Sequence, residues 1–145
     1  MRGLNCELQE LDFIDLISER HVQLRSIIEK LWNDTSDIYI SISEWYIMAR
    51  VYKKRPTISY VTKHVDISRQ ATHKFIKSLE SKGLVIISSL ENNKKDRCIQ
   101  LTKLGEECYE ENKSLKANLE KKVIDKIGYE KFQVLNDILK LDWGL

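Results

Sequence analysis

Apolar residues recur at three- and four-residue steps over most of this chain, and the breaks between those runs divide it into helices and one hairpin. Leu8, Leu11, Ile14 and Ile17 continue through His21, Leu24, Ile28, Leu31 and Trp32, which predicts a long helix over residues 7–32. Asn33-Asp34-Thr35-Ser36-Asp37 then supplies turn and cap residues. Ser43 is read as the cap of a second helix reaching about Lys54, with Trp45, Ile47, Met48, Val51 and Tyr52 as its apolar side. Pro56 stops it, since the residue before a proline avoids the helical region. Past residue 102, Leu104, Cys108, Leu115, Leu119, Val123 and Ile127 predict another long helix, broken at Gly128. Phe132, Leu135, Ile138 and Leu139 mark a last helix to about Leu141.

The stretch between residues 57 and 102 has a different rhythm. A short helix at 57–64 turns its Ile58 and Val61 inward, and Val65-Asp66-Ile67 makes a turn. Ser68 caps a further helix in which Ala71, Thr72, Phe75, Ile76 and Leu79 share one face. Gln70, His73, Lys74 and Lys77 fall on the opposite face, with Arg69 at its edge, and Gly83 is placed to end the helix in a left-handed conformation. A β-branched strand at 84–88, a polar basic loop at 90–97 and a second strand at 98–101 follow. Helix, turn, helix and charged hairpin make a winged helix-turn-helix, a layout that offers one helix to a DNA groove and one loop to the neighbouring phosphates. The fold class is therefore mainly α with a small β-hairpin.

Charge sharpens this reading. The 145 residues carry a formal net charge of only +2, yet residues 50–100 hold twelve basic against four acidic residues, a surplus of +8 that leaves −6 for the rest. The middle suits a polyanion and the ends do not. The ends carry more apolar residues than a lone winged helix can cover, which points to a two-fold dimer. Residues 1–33 and 103–145 are expected to dimerise and residues 34–102 to read DNA.

Other classes find little support. No apolar run approaches about 20 residues, so no membrane span is expected, and acidic Glu7, Glu10 and Asp12 soon after the start are unlike a signal peptide. A cytoplasmic location is expected. Cys6, Cys98 and Cys108 are odd in number and lack ligand spacing, so neither a disulfide framework nor a metal site is indicated, and no cofactor is implied. Glu7 and Glu10 near Cys6 would raise its pKa, against a redox role. There is no phosphate-binding glycine loop, no HExxH and no nucleophile elbow; the chain reads as no enzyme.

With the layout established, the chain resembles the MarR family of bacterial transcription regulators over nearly its whole length. The resemblance rests on Leu79-Glu80-Ser81-Lys82-Gly83-Leu84-Val85, followed by Leu101-Thr102 and then Gly105, within the order of one helix, a winged unit and two closing helices. It departs from the family at Asn93 and Lys95, where the wing usually has aspartate and arginine, and at Asp66, often glycine, where aspartate tolerates a left-handed backbone. The resemblance implies a homodimer on a pseudo-palindromic double-stranded operator, with repression as the expected sense and activation as the alternative. It also implies release by a small-molecule effector near the junction of reader and dimer helices. Trp32, Tyr39, Trp45 and Tyr46 fall near that junction, and two readings of them stand: an effector pocket or core packing.

On the DNA side, Gln70 has the chemistry for a bidentate pair with adenine, and Arg69 or Lys74 for guanine or phosphate. Ser68 sits where a helix start can hold a phosphate. Lys94, Lys95 and Arg97 are read as wing contacts to phosphate or minor groove, with Arg97 alternatively bracing the wing through Asp96 or Glu91. The rival from another class is a winged-helix protein-interaction module whose basic face docks acidic protein.

Overall fold

A computed structural model describes residues 8–90 and 93–145, with the side chains of residues 90 and 93–95 excepted. Its elements run α1 (Phe13–Thr35), α2 (Ile42–Val51), α3 (Ile58–His64), α4 (Arg69–Ser81), β1 (Val85–Leu90), β2 (Asn93–Leu101), α5 (Lys103–Ile127) and α6 (Tyr129–Lys140). The sequence-derived order holds, and the differences lie at the boundaries. α1 begins six residues later than the periodicity suggested, because Asp12 takes extended backbone as its N-cap, and Leu8 closes a separate turn with Leu11. Asp15 then places an acidic group in the first turn, where the helix dipole favours it.

The cap of α2 is Ser41 rather than Ser43. Ser41 Oγ accepts from the Glu44 amide at 3.3 Å, and the Ser41 amide donates to Glu44 Oε1 at 3.1 Å. Only Ser41 stands three residues ahead of a glutamate, which this reciprocal box requires. α2 stops at Val51, short of Lys54, because Lys53 turns into the left-handed region at φ 55°. Lys53 is the one described non-glycine residue with positive φ, and Asp66 does not use the left-handed backbone that it would tolerate.

α4 ends as the sequence suggested. Gly83 has φ 76°, its amide donates to Glu80, and the Leu84 amide donates to Leu79 at 3.0 Å. This is the Schellman arrangement, and its hydrophobic clasp is Leu79 against Leu84, both fully buried. The hairpin is longer than its apolar residues showed. β2 starts at Asn93, so most of the predicted loop lies within the strands, but the register shifts at Ser89/Leu90, where Leu90 pairs with Asn93 and residues 94–96 bulge out of the ladder. The polar run 93–97 carries no alternating apolar signal to reveal a strand. Thr57 bridges Cys98, and the Ile99 amide donates to Pro56, so the segment before α3 flanks the hairpin.

One core joins these elements. Ile47, Met48 and Val51 of α2, Val61 of α3, Ile76 and Leu79 of α4, and Leu84 with Ile99 of the hairpin are buried together. Among the described residues, no helix is long and apolar enough to cross a membrane.

Candidate nucleic-acid interface

The two faces of α4 divide cleanly. Thr72, Ile76 and Leu79 are buried, whereas Arg69, Gln70, His73, Lys74 and Lys77 are all exposed on the outer side. Ser68 holds the start of the helix: its Oγ accepts from the Ala71 amide at 3.2 Å, and its carbonyl accepts from Thr72 Oγ1 at 2.9 Å. The Ser68 hydroxyl oxygen thus serves as a cap and retains its proton for donation. The helix projects three cations, an amide and an imidazole without an acidic residue in its first turn.

The wing stem meets this face. Arg97 is exposed on β2 and lines a small cleft of about 110 Å³ with Arg69 and His73 of α4 and Ser59 and Thr62 of α3. Asp96 shares that cleft and receives a long 3.5 Å contact from Ser59 Oγ. Arg55 donates to Ser88 Oγ on β1 at 2.8 Å, a second link between the pre-α3 segment and the hairpin. Helix and wing therefore line one recess with an arginine each, beside the Asp96 carboxylate. The Lys94 and Lys95 side chains and Glu91 lie outside the described residues, as does Cys6.

Lys82, counted among the basic residues, is taken out of that field. Its Nζ pairs with both carboxylate oxygens of Glu44 at 2.8 Å and donates to the Tyr39 carbonyl at 2.7 Å. Glu44 is buried and also accepts from Ser78 Oγ at 3.2 Å, so α2 and the end of α4 are joined by a satisfied polar knot. Sequence reasoning missed this pairing and the Ser59–Asp96 contact. The S-x-x-E spacing at Ser41 was the available signal for Glu44 as a structural residue.

The four aromatics do not gather around one cavity. Trp32 and Trp45 pack edge to face at 5.1 Å in the core, and Trp32 Nε1 donates to the Ile38 carbonyl. Tyr39 is exposed, with the Lys82 ammonium over its ring. Tyr46 lines a cleft of about 670 Å³ between α1, α2 and the turn before α4. There its hydroxyl is 2.7 Å from His21 Nε2, and Arg25 lies over its ring at 4.6 Å. Arg50, His64 and Asp66 form the rest of that polar wall.

Neither the models of known protein families nor the curated proteins match the chain. Solved structures do. FabT from Streptococcus pneumoniae, solved in complex with DNA, is 22% identical with a TM-score of 0.72, over 86% of this chain and 88% of that one. MarR from E. coli in its apo form is 17% identical with a TM-score of 0.77, over 90% and 96%. NadR in complex with 4-hydroxyphenylacetate is 24% identical with a TM-score of 0.65, over 90% and 93%. The chain has the winged-helix fold of the MarR-type regulators, and the structures it resembles are transcription regulators rather than enzymes.

Proposed function

We propose that the protein is a homodimeric, sequence-specific regulator of transcription that binds double-stranded DNA and acts as a repressor. The observation that carries this is the shared recess of Arg69, His73 and Arg97, where the exposed face of α4 and the wing stem converge. In this reading α4 enters the major groove, Gln70 reads a base edge and Arg97 holds a flanking phosphate, with Arg69, His73, Lys74, Lys77, Lys94 and Lys95 contributing charge or contacts. Residues 34–102 are the reader.

Residues 1–33 and 103–145 are the dimer module. Phe13, Ile14 and Ile17 at one end and Val134, Ile138 and Leu141 at the other are exposed in the single chain. Apolar surface of that extent supports an association partner, and a two-fold mate on a pseudo-palindromic operator satisfies it. Of the four aromatics, Tyr46 supports the effector reading, because its cleft abuts the turn that leads into α4. A cytoplasmic location follows from the proposed work on DNA.

The test is selection of bound sequences from random duplex DNA, with light scattering of the same preparation. A dimer that recovers a palindrome with half-sites about 34–36 Å apart is the expected result. Gln70→Ala then costs about 1–3 kcal/mol on the selected site alone, and Arg97→Ala lowers the slope of log affinity against log salt by about one. A monomer that enriches no sequence refutes the proposal. Salt-insensitive binding to duplex would favour the protein-interaction module instead.

A further inference from the structure

The outer side of α4 consists of two stripes that face different surroundings. Gln70, Lys74 and Lys77 lie opposite the buried Thr72, Ile76 and Leu79, within about 60° of one another at about 100° per residue. Arg69 and His73 lie on the flank between that pole and the core. Both line the recess with Arg97 and Asp96, whereas Gln70, Lys74 and Lys77 do not. By residue type Arg69 and Lys74 are equal candidates for guanine, and the recess separates them.

Two properties suit the outer stripe to base edges. Among the described residues, Gln70, Lys74 and Lys77 have no side-chain hydrogen bond or ion pair within the chain. The stripe is also free of acid, since residues 67–79 contain no aspartate or glutamate. Arg69, by contrast, shares its recess with the Asp96 carboxylate. A guanine edge presents two acceptors, O6 and N7, and an anion beside Arg69 repels it. Within the stripe, distance from the start of the helix decides, because recognition helices contact base edges with their N-terminal residues. Gln70 and Lys74 fall in the first two turns of α4 and Lys77 in the third.

We propose that Gln70 and Lys74 form a two-residue code for the operator, Gln70 pairing with an adenine and Lys74 with a guanine of the same half-site, while Arg69 reads no base. The inference rests on the DNA-binding function proposed above and names the bases which that function requires. Gln70 donates from Nε2 to adenine N7 and accepts at Oε1 from adenine N6, and Lys74 Nζ donates to guanine O6 and N7. Four residues of helix rise about 6 Å, so the two purines stand within two base pairs of each other, at about 3.4 Å per step.

Selection from random duplex DNA with the full chain and its variants tests the code. The parent should enrich an adenine and a guanine at that separation in each half-site, each preferred about 5- to 150-fold over the wrong base, the equivalent of about 1–3 kcal/mol. Lys74→Gln turns the guanine alone into adenine, and Gln70→Lys turns the adenine alone into guanine. The double variant exchanges the two purines, an outcome that a role in charge alone does not produce. Both side chains are exposed, so these variants keep the fold. Arg69→Ala weakens binding to selected and scrambled duplex by a similar factor and changes no base. A guanine that survives Lys74→Gln, or one that is lost with Arg69→Ala or Lys77→Gln, overturns the proposal. A parent that enriches a palindrome without the two purines overturns the code and leaves the DNA-binding reading standing. A parent that enriches no sequence overturns both.

Discussion

Gly105→Ala puts the junction of wing and dimer helix to a quantitative test. A Cβ at residue 105 would come closer to the Leu84 carbonyl oxygen than the 3.0 Å that real Cβ contacts respect, and would lie 3.1 Å from the carbonyl carbon. That carbonyl has nowhere to turn, because it accepts from the Thr102 amide at 3.0 Å, while the preceding Gly83 carbonyl accepts from Thr102 Oγ1 at 2.6 Å. The first turn of α5 must therefore retreat from β1. Overpacking of this kind costs about 1–3 kcal/mol. Losing the two Thr102 bonds adds about 1 kcal/mol each. Alanine returns about 1 kcal/mol through its higher helix propensity. The net destabilisation is about 3 kcal/mol, which for a chain of this length lowers Tm by roughly 10 °C.

Gly83→Ala is the matched control. Its Cβ would meet nothing within 4 Å, but its φ of 76° strains any side chain, at about 1–2 kcal/mol. Urea unfolding followed by far-ultraviolet circular dichroism, at one protein concentration because dimerisation adds to stability, compares the two. The packing argument is refuted if Gly105→Ala matches the parent in stability, or if Gly83→Ala is the more damaging change.

Three further outcomes follow from the polar contacts. Lys82→Ala leaves the buried Glu44 carboxylate without its cation; a loss of about 2–3 kcal/mol is expected, less than for a fully sealed pair because Lys82 is partly exposed. The Glu44→Gln/Lys82→Met double variant should recover part of it in the same unfolding assay, and additive losses would deny the coupling. Cys108 has its pKa raised by burial, then by Glu111 and Glu107, so the folded thiol stays protonated at neutral pH and resists alkylation. In a Cys6→Ser background it should label only on unfolding. Because the folded pKa lies above the unfolded one, the Cys108 contribution to stability is present below the ordinary thiol range and is lost as pH rises through the folded pKa. Tyr52 has its pKa raised chiefly by its hydrogen bond to Glu110, at 2.8 Å; Glu110→Gln should lower it, and a spectrophotometric titration unchanged by that substitution would contradict the bond.

The element order was legible because each helix carries its own period, and Ser68 and Gly83 signal their caps by residue type alone. Boundaries were less so where two residues competed for one role. Ser41 and Ser43 are both good caps in isolation, and Glu44 decides between them. The outer face of α4 was readable for the same local reason: its polar residues fall opposite the buried Thr72, Ile76 and Leu79. What joins remote segments left no local trace. Lys82 reads as one more basic residue until Glu44, 38 positions earlier, neutralises it. The aromatics were ambiguous because size and ring chemistry suit a core and a pocket alike. Neighbours in space put Trp32 and Trp45 in the core and Tyr46 on a cleft.

The halves of the proposed interface are anchored to different helices, and this determines how they respond to perturbation. α4 is held to α2 through the Glu44 and Lys82 knot, whereas the hairpin is held to α5 through Thr102 and the close approach at Gly105. The end of α2 is joined to α5 in turn by the tilted packing of the capping Tyr52 on Tyr109, with centroids 4.4 Å apart, and by the Tyr52 hydrogen bond to Glu110. Retreat of the first turn of α5 therefore disturbs Arg97 before it disturbs Gln70. In DNA titrations, Gly105→Ala should reduce the salt slope toward that of Arg97→Ala while the preference for the selected site over scrambled duplex persists. Loss of that preference at an unchanged salt slope would show that the wing and α4 do not move independently, and the two-anchor argument would fail.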